Sequence, residues 1–154
     1  MRRPLPLHRD ERGASLVELA LVSPILLTMF AGILDCARLY STKLGFQQAA
    51  ERSVEIATTG GVSNTAYTTV QTNMQNDATA AAPKATSVTA SLWLECAGVK
   101  QSDFNGACNT GDQVARYASV SVSGSYRPSF PWLFGTMVSN GVIAVSGAAT
   151  VRVQ

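Results

Sequence analysis

The sequence is poor in the residues that most enzymes and nucleic-acid-binding proteins use. It has one histidine, His8, and no Gly-x-Ser-x-Gly motif, phosphate-binding loop or paired-carboxylate arrangement. Charged residues make up 14% of the chain, and after residue 13 the eight basic and eight acidic side chains cancel. These absences argue against an enzyme and leave no basic face for nucleic acid. We therefore expect no catalytic residue, no cofactor, no small-molecule substrate and no nucleic-acid partner.

Cysteine is also scarce, with only Cys36, Cys96 and Cys108. Cys96 and Cys108 flank a polar loop, CAGVKQSDFNGAC, and outside the cytoplasm a disulfide between them is favoured. Closing a loop of about 13 residues stabilises a domain by roughly 3 kcal/mol. A metal site is the poorer interpretation, because no second cysteine pair is present and the oxygen ligands are not spaced as in an EF-hand: Asp103, Asn105 and Asp112. We expect no metal, and a free Cys36 packed at the membrane edge of a helix.

One long apolar run stands out against this low-charge background. Residues 14–34 contain a single charged side chain, Glu18, and their 21 residues reach roughly 30 Å as a helix, one bilayer hydrocarbon core. Four arginines precede the run, so the positive-inside rule places the N-terminus in the cytoplasm and the rest of the chain across the inner membrane. A cleaved secretory signal peptide is the alternative, but its apolar region is usually about 7–15 residues long and holds no acid.

The helical pattern continues beyond the apolar run. Apolar residues recur with helical spacing up to Thr58, where Thr59, Gly60 and Gly61 predict the end of the helix. The predicted stripe consists of Leu39, Phe46, Ala50, Val54 and Ala57. The helix is therefore apolar on all sides in its first half and amphipathic in its second, so that one half suits lipid and the other half suits packing against a folded domain.

The remaining chain predicts a small α+β domain. A polar helix follows the glycines, with apolar residues four apart and a stop at Pro83: Ala66, Val70, Met74 and Ala78. Three segments then alternate with a period of two, TSVTASLWL, YASVSVSGSY and IAVSGAATVRV. Such half-apolar strands suit an antiparallel meander with one solvated face and one face covered by a helix.

These patterns give the predicted organisation. The fold class is α+β: a long N-terminal transmembrane and amphipathic helix packed on a small antiparallel β-sheet with a short second helix. The predicted units are a basic leader, the transmembrane half-helix, the amphipathic half-helix and an extracytoplasmic α+β domain, at residues 1–13, 14–34, 35–59 and 62–154.

The N-terminal segment resembles a known family. Arginines, Gly13, four uncharged residues, Glu18 and an apolar helix follow one another as in type IV prepilins. The stretch RGASLVELALVSPILLTMFAGILDCARLY is similar to the TadE/TadG-like pseudopilins of the tight-adherence (Tad) pilus, with Gly, Asp and Arg near the helix exit. The strand and Pro-aromatic loop VSVSGSYRPSFPWLFG looks like the family's C-terminal part. Position 19 departs from the pattern, because it is Leu where many of these proteins have an aromatic residue.

The resemblance implies a function and partners. It implies cleavage by a prepilin peptidase between Gly13 and Ala14, assembly with other pilins through Glu18, and a minor rather than major subunit, since major pilins of this branch resemble a bare helix. Glu18 alone in lipid would cost at least a few kcal/mol, and pairing with the new Ala14 amine would offset that. The alternative interpretation of Glu18 is that its side chain simply extends to the membrane–water interface. The alternative function is an unprocessed, single-pass membrane-anchored binding module that faces the periplasm or exterior.

The Pro-aromatic loop has two interpretations. Phe130, Trp132 and Phe134 lie within RPSFPWLFG, in a chain with only 7% aromatic residues. They either plug the end of the sheet against the long helix or form an exposed patch that meets membrane lipid or another subunit.

Overall fold

The computed structural model describes residues 11–59 and 67–153, and it has the predicted α+β architecture. Two helices, α1 and α2, cover one face of a four-stranded antiparallel sheet, and a short 3₁₀ helix joins the last two strands. The elements are α1 (Glu11–Thr59), α2 (Tyr67–Ala81), β1 (Ala85–Cys96), β2 (Val99–Lys100), β3 (Val114–Tyr126), the 3₁₀ helix (Pro131–Met137) and β4 (Ile143–Arg152). The proposed domain boundary near residue 62 lies outside the described residues.

Helix α1 continues through Pro24 for 49 residues. Proline has no backbone N–H, so the carbonyl four residues earlier, on Ala20, loses its usual partner. The hydroxyl of Ser23 donates a hydrogen bond to that carbonyl at 3.4 Å. Such side-chain replacement of a lost backbone hydrogen bond is one reason that membrane helices tolerate proline.

The sheet has the strand order β2-β1-β3-β4. Strand β1 pairs with β3 from Ala85–Gly124 to Cys96–Val114, and β3 pairs with β4 from Tyr126–Ile143 to Tyr117–Arg152. The predicted meander is right for β1, β3 and β4. It lacks β2, a two-residue strand that folds back on the far end of β1, because two residues are too few to show an alternating pattern.

The core lies between the helices and the sheet, as the stripe on α1 predicts. Phe46, Ala50, Val54 and Ala57 are buried, and Leu39 packs at the edge of the same cluster. Helix α2 buries Val70, Met74 and Ala78, which confirms the four-residue spacing for these three residues, while the predicted Ala66 lies outside the described residues. The sheet contributes the inward residues of its three long strands: Ala90, Ala118, Val120, Val122 and Val145.

Two glycines allow α1 to lie directly on the sheet. A Cβ at Gly147 of β4 would lie 2.6 Å from the carbonyl carbon of Phe46, and a Cβ at Gly124 of β3 would lie 2.9 Å from the Phe46 ring. Real Cβ atoms do not approach other atoms so closely, because interiors are already packed to crystal-like density. Glycine at these two positions is therefore a requirement of the helix–sheet contact.

Glutamines on the helices cover both long edges of the sheet. Gln47 of α1 donates to the carbonyl of Ala148 at 3.0 Å and accepts from its N–H at 3.1 Å. Gln71 and Gln75 of α2 donate to the carbonyls of Ala90 and Val88 on β1. Unpaired edge groups are templates for aggregation, and these side chains occupy some of them.

The direction of the strands relative to α1 fixes which end of the domain lies near the apolar half-helix. Asp35 contacts the end of β3 at Tyr126, and Gln47, further along α1, contacts Ala148 in the middle of β4. Strand β4 therefore runs alongside α1 in the same direction. The end of the sheet at Tyr126 and Ile143 is close to the apolar run, and the end with the Cys96 disulfide is far from it.

Candidate functional site

The first half of α1 exposes apolar side chains on every side. Its large residues from Leu16 to Leu34 are 42% to 70% exposed. The helix is long and apolar enough to cross a membrane. Exposing such a surface to water costs roughly 25 cal/mol of free energy per Å² of apolar area. This half of α1 therefore fits a lipid or helix-bundle environment.

Glu18 is the only charged side chain of residues 15–34, and it is exposed on this apolar surface. Within the described part of the chain the structure gives it neither a hydrogen bond nor an ion pair. Gly13 and Ala14 lie in the first turns of α1, outside the residues whose side chains are described. The processing and assembly roles of these three residues are therefore still predictions.

At the other end of the apolar run, a buried carboxylate joins α1 to the loop after β3. Asp35 is 1% exposed. Its Oδ1 accepts hydrogen bonds from the Tyr126 hydroxyl at 3.0 Å and the Ser129 N–H at 3.2 Å, and its Oδ2 accepts from the Phe130 N–H at 2.9 Å. A buried carboxylate with several donors is stable as the charged form. Asp35 therefore fixes the start of the Pro-aromatic loop to the helix one residue past the apolar run.

The same contacts shift two pKa values. Burial raises the pKa of the Asp35 carboxyl, but the Phe130, Ser129 and Tyr126 hydrogen bonds together lower it more, so its pKa lies below the ordinary value of 3.8. Burial, and then the hydrogen bond to Asp35, raise the pKa of the Tyr126 hydroxyl above its ordinary value of 10.0. Both groups therefore keep the forms that the hydrogen bond needs across the neutral range.

The Pro-aromatic loop lies over the helix, with its largest aromatic side chain outside. The side chain of Leu133 packs on Gly32, where a Cβ would lie 3.4 Å from Leu133 Cδ1. Trp132 is 66% exposed, Phe130 is 40% exposed and Phe134 is half-buried. Leu133, not Trp132, fills the space beside the helix. The arrangement favours an exposed patch over a plug for Trp132.

A disulfide joins Cys96 to Cys108, with their Cα atoms 5.4 Å apart. Inside the loop that it closes, Phe104 is buried and stacks on Tyr67 of α2, with ring centroids 5.5 Å apart. The loop thus closes the far end of the core. Cys36 is free but exposed, so the expectation that it packs is wrong. Successive helix residues point about 100° apart, so burial of Asp35 does not bury Cys36.

The sequence did not predict two residues that organise the two ends of the domain, the buried carboxylate Asp35 and the buried aromatic Phe104. Asp35 entered only as part of the family layout, and Phe104 was hidden in a loop rich in Gly, Asn and Asp. A signal for Asp35 was present, because a carboxylate one residue after a membrane-length apolar run is costly unless it has partners. No local pattern pointed to Phe104, since its partner Tyr67 is far away in sequence.

The comparisons with known proteins bear on the helix. A model of the TadE-like protein family matches residues 13–54, which is most of α1. Comparison with curated proteins and with solved structures found no match. The matched family is associated with the Tad pilus, has an N-terminal membrane helix and is not a family of enzymes. The match spans the exposed apolar half, Asp35 and the buried stripe as far as Val54, and it confirms that residues 13–54 of this chain are a TadE-like segment.

Proposed function

We propose that the chain is a minor pilin, or pseudopilin, of a tight-adherence, type IV-like pilus that supports adhesion and surface attachment. The observation that carries the proposal is the two-part helix α1: an exposed apolar half with the single charge Glu18, continuous with a half that carries a folded domain. The TadE-like match over the same residues supports it.

The proposed route begins with insertion in the inner membrane. Arginines before the apolar run stay in the cytoplasm, and the domain crosses to the periplasmic side. A disulfide at Cys96–Cys108 is consistent with that compartment, because disulfides persist in oxidising environments. A prepilin peptidase then cuts between Gly13 and Ala14 and leaves a positively charged amine at Ala14.

Glu18 gives assembly its electrostatic driving force in this proposal. Glu18 is four positions after Ala14, about one helical turn, so the amine and the carboxylate lie on the same side of one helix or face each other between neighbouring helices. A charge deep in hydrocarbon costs at least about 2.5 kcal/mol, and pairing offsets this cost for both groups. Packing of α1 with other pilins is thereby favoured over free diffusion in the bilayer.

Cleavage is tested first. Gly13→Leu should leave the full-length precursor, because a bulky side chain at the cleaved bond blocks the peptidase, while Gly45→Ala, on the same helix, should mature normally. The measurement is the mass of the N-terminal peptide from native membranes. An uncleaved N-terminus in the wild-type chain would instead support the permanently anchored binding module.

Assembly is tested by changing the charge alone. Glu18→Ala should insert and be cleaved, since the apolar run drives insertion, but should fail to join the pilus or its initiating complex. Glu18→Gln should be nearly as defective, because it keeps the shape and loses the charge. Co-purification with partner pilins and an assay of surface pili give the readout. Wild-type assembly of Glu18→Ala beside failure of Gly13→Leu would rule out charge pairing.

A further inference from the structure

One face of α1 carries three contacts in order, from apolar to basic, where the helix leaves the apolar run. Gly32 packs on Leu133, Asp35 binds the loop backbone, and Arg38 lines a cleft. Successive members of this series are three residues apart, so each lies next to the one before it on the helix surface, and the series winds about 120° around the helix from Gly32 to Arg38. Together, Trp132, Leu133, Met137, Arg38, Lys84 and Arg127 are called the junction surface below.

The apolar part of the junction surface lies beside the last residues of the apolar run. Leu133 touches α1 at Gly32, two residues before the apolar run ends at Leu34. In the same 3₁₀ helix, Trp132 and Met137 are each 66% exposed. Asp35 holds the loop at this height through two backbone N–H groups. Tryptophan is enriched at the membrane–water interface of membrane proteins because its ring is apolar and its N–H is polar.

The basic part lies one turn further out. Arg38, Lys84 and Arg127 line a single cleft together with the hydroxyl-bearing residues Ser41, Thr42, Ser125 and Tyr126. Among residues 15–59 and 67–153 no carboxylate lies within ion-pair distance of these three basic side chains. The ion pair in this part of the chain joins Arg52 to Asp77, away from the cleft. Arg38 is four residues past Leu34, roughly 6 Å along the helix, and the headgroup layer is about 5–8 Å thick on each side.

We propose that the junction surface docks on the outer leaflet of the membrane that α1 spans. Trp132, Leu133 and Met137 enter the lipid interface, and Arg38, Lys84 and Arg127 bind the phosphate of an anionic phospholipid headgroup. The domain is thereby held against the membrane at a fixed height, in addition to its tether. The inference rests on the proposed membrane anchoring of residues 14–34, and it does not depend on cleavage or on assembly.

Lipid is the occupant that the arrangement fits best. The apolar part adjoins the apolar half of α1 at Gly32, and the order of apolar, hydrogen-bonding and basic groups follows the bilayer from chains to phosphate. Free phosphate would bind only in the basic cleft, and its binding would not explain why Trp132 is exposed beside the membrane span. Arginine suits a lipid phosphate, because its guanidinium donates two parallel hydrogen bonds.

The depth of Trp132 tests the apolar part. The chain has two tryptophans, so Trp93→Phe leaves Trp132 as the only reporter and Trp132→Phe leaves Trp93 as the matched control. Trp93 stacks on Tyr117 near the far end of β1, eight residues and roughly 26 Å along the strand from Ala85. The full chain is placed in phosphatidylcholine nanodiscs brominated high on the acyl chains, and quenching is compared with that by aqueous iodide.

Brominated lipid should quench Trp132 several-fold more than it quenches Trp93. Iodide should quench Trp132 in the nanodisc less than it quenches Trp132 in the unfolded chain without detergent. Equal lipid quenching of the two reporters would overturn the docking. So would a Trp132 that is shielded from both quenchers, because it would then be covered by protein.

The headgroup part is tested in mixed phosphatidylcholine–phosphatidylglycerol nanodiscs in which only one of the two lipids is brominated. Quenching of Trp132 should be stronger when phosphatidylglycerol carries the bromines. Each basic side chain near an anionic surface contributes a factor of about five in affinity, so changing Arg38, Lys84 and Arg127 to Gln should remove most of the preference. The control makes the same charge change far from the junction, at Arg52, Lys100 and Arg152. A preference that is absent in the wild-type chain, or equal in both triple variants, overturns headgroup binding.

These outcomes differ from a failure of the proposed function. A chain that stays out of the nanodisc refutes both the anchoring and the docking. A chain that inserts, with Trp132 not in contact with lipid, refutes the docking alone and leaves the pilin proposal standing.

Discussion

The two halves of α1 differ in what surrounds them. From Leu16 to Leu34 the large apolar side chains are exposed, whereas between Phe46 and Ala57 five apolar residues are at most 7% exposed. Small residues in the second half, Ala49, Ala50 and Ala57, bring the helix close to the sheet, whereas the first half has bulky, exposed residues and contacts the domain at Gly32. The same secondary structure thus presents an exposed apolar surface in one half and packs an internal core in the other.

The sharpest test of this comparison uses one substitution in each half. Phe46→Ala should lower the free energy of unfolding by about 3–5 kcal/mol, because Phe46 is 3% exposed and packs against the sheet. Phe30→Ala should leave it nearly unchanged, since Phe30 is 60% exposed. The measurement is unfolding of the detergent-solubilised full chain, followed by near-ultraviolet circular dichroism. Similar losses in both variants would contradict the division of the helix.

The disulfide stabilises the end of the domain farthest from the apolar half. Cys96→Ser with Cys108→Ser should cost about 3 kcal/mol, as expected for a loop of this length, and should expose Phe104. Cys36→Ser is the matched control and should have no effect, since Cys36 is free and exposed. Thiol labelling of the denatured, unreduced wild-type chain should modify one cysteine, and labelling of all three would contradict the bridge.

The close contact between α1 and β4 predicts opposite effects for two glycines. Gly147→Ala should destabilise by about 1–3 kcal/mol, because the new methyl group would overlap the backbone of α1. Gly45→Ala should stabilise by about 0.5–1 kcal/mol, because Gly45 is in the helix interior and nothing lies within 4 Å of its Cβ position. Thermal unfolding should show the two shifts with opposite signs, and a Gly147→Ala chain as stable as wild type would mean that the contact is looser than described.

The smallest expected effect lies at the junction between the halves. The pKa of Asp35 is lower in the folded chain than its ordinary value of 3.8. Its contribution is therefore present above that value and is lost as the pH falls through the lower, folded pKa. Melting temperatures of wild type and Asp35→Asn should differ at neutral pH and converge at low pH. A difference that persists at low pH would mean that the loop is held by shape rather than by charge.

The sequence predicted those features that repeat at short range. The stripe on α1, the spacing on α2 and the alternation in β1, β3 and β4 each recur within one element, and among the described residues they were found as predicted. The Gly13–Glu18 spacing and the apolar run led to the TadE-like family, which the match over residues 13–54 confirms. The two-residue strand β2 and the buried Phe104 were missed, because neither has a local repeat.

The sequence by itself determines how apolar and polar residues are distributed along the chain: a membrane-length apolar run, a helix that becomes amphipathic in its second half, and strands with one apolar face. These follow from side-chain periodicity and transfer free energy, which need no knowledge of partners. The tertiary structure alone decides which residues meet across long separations. It brings Asp35 to the backbone of Phe130, Gly147 to Phe46 and Leu133 to Gly32, because these contacts depend on how the sheet lies along the helix, and no single segment contains that information.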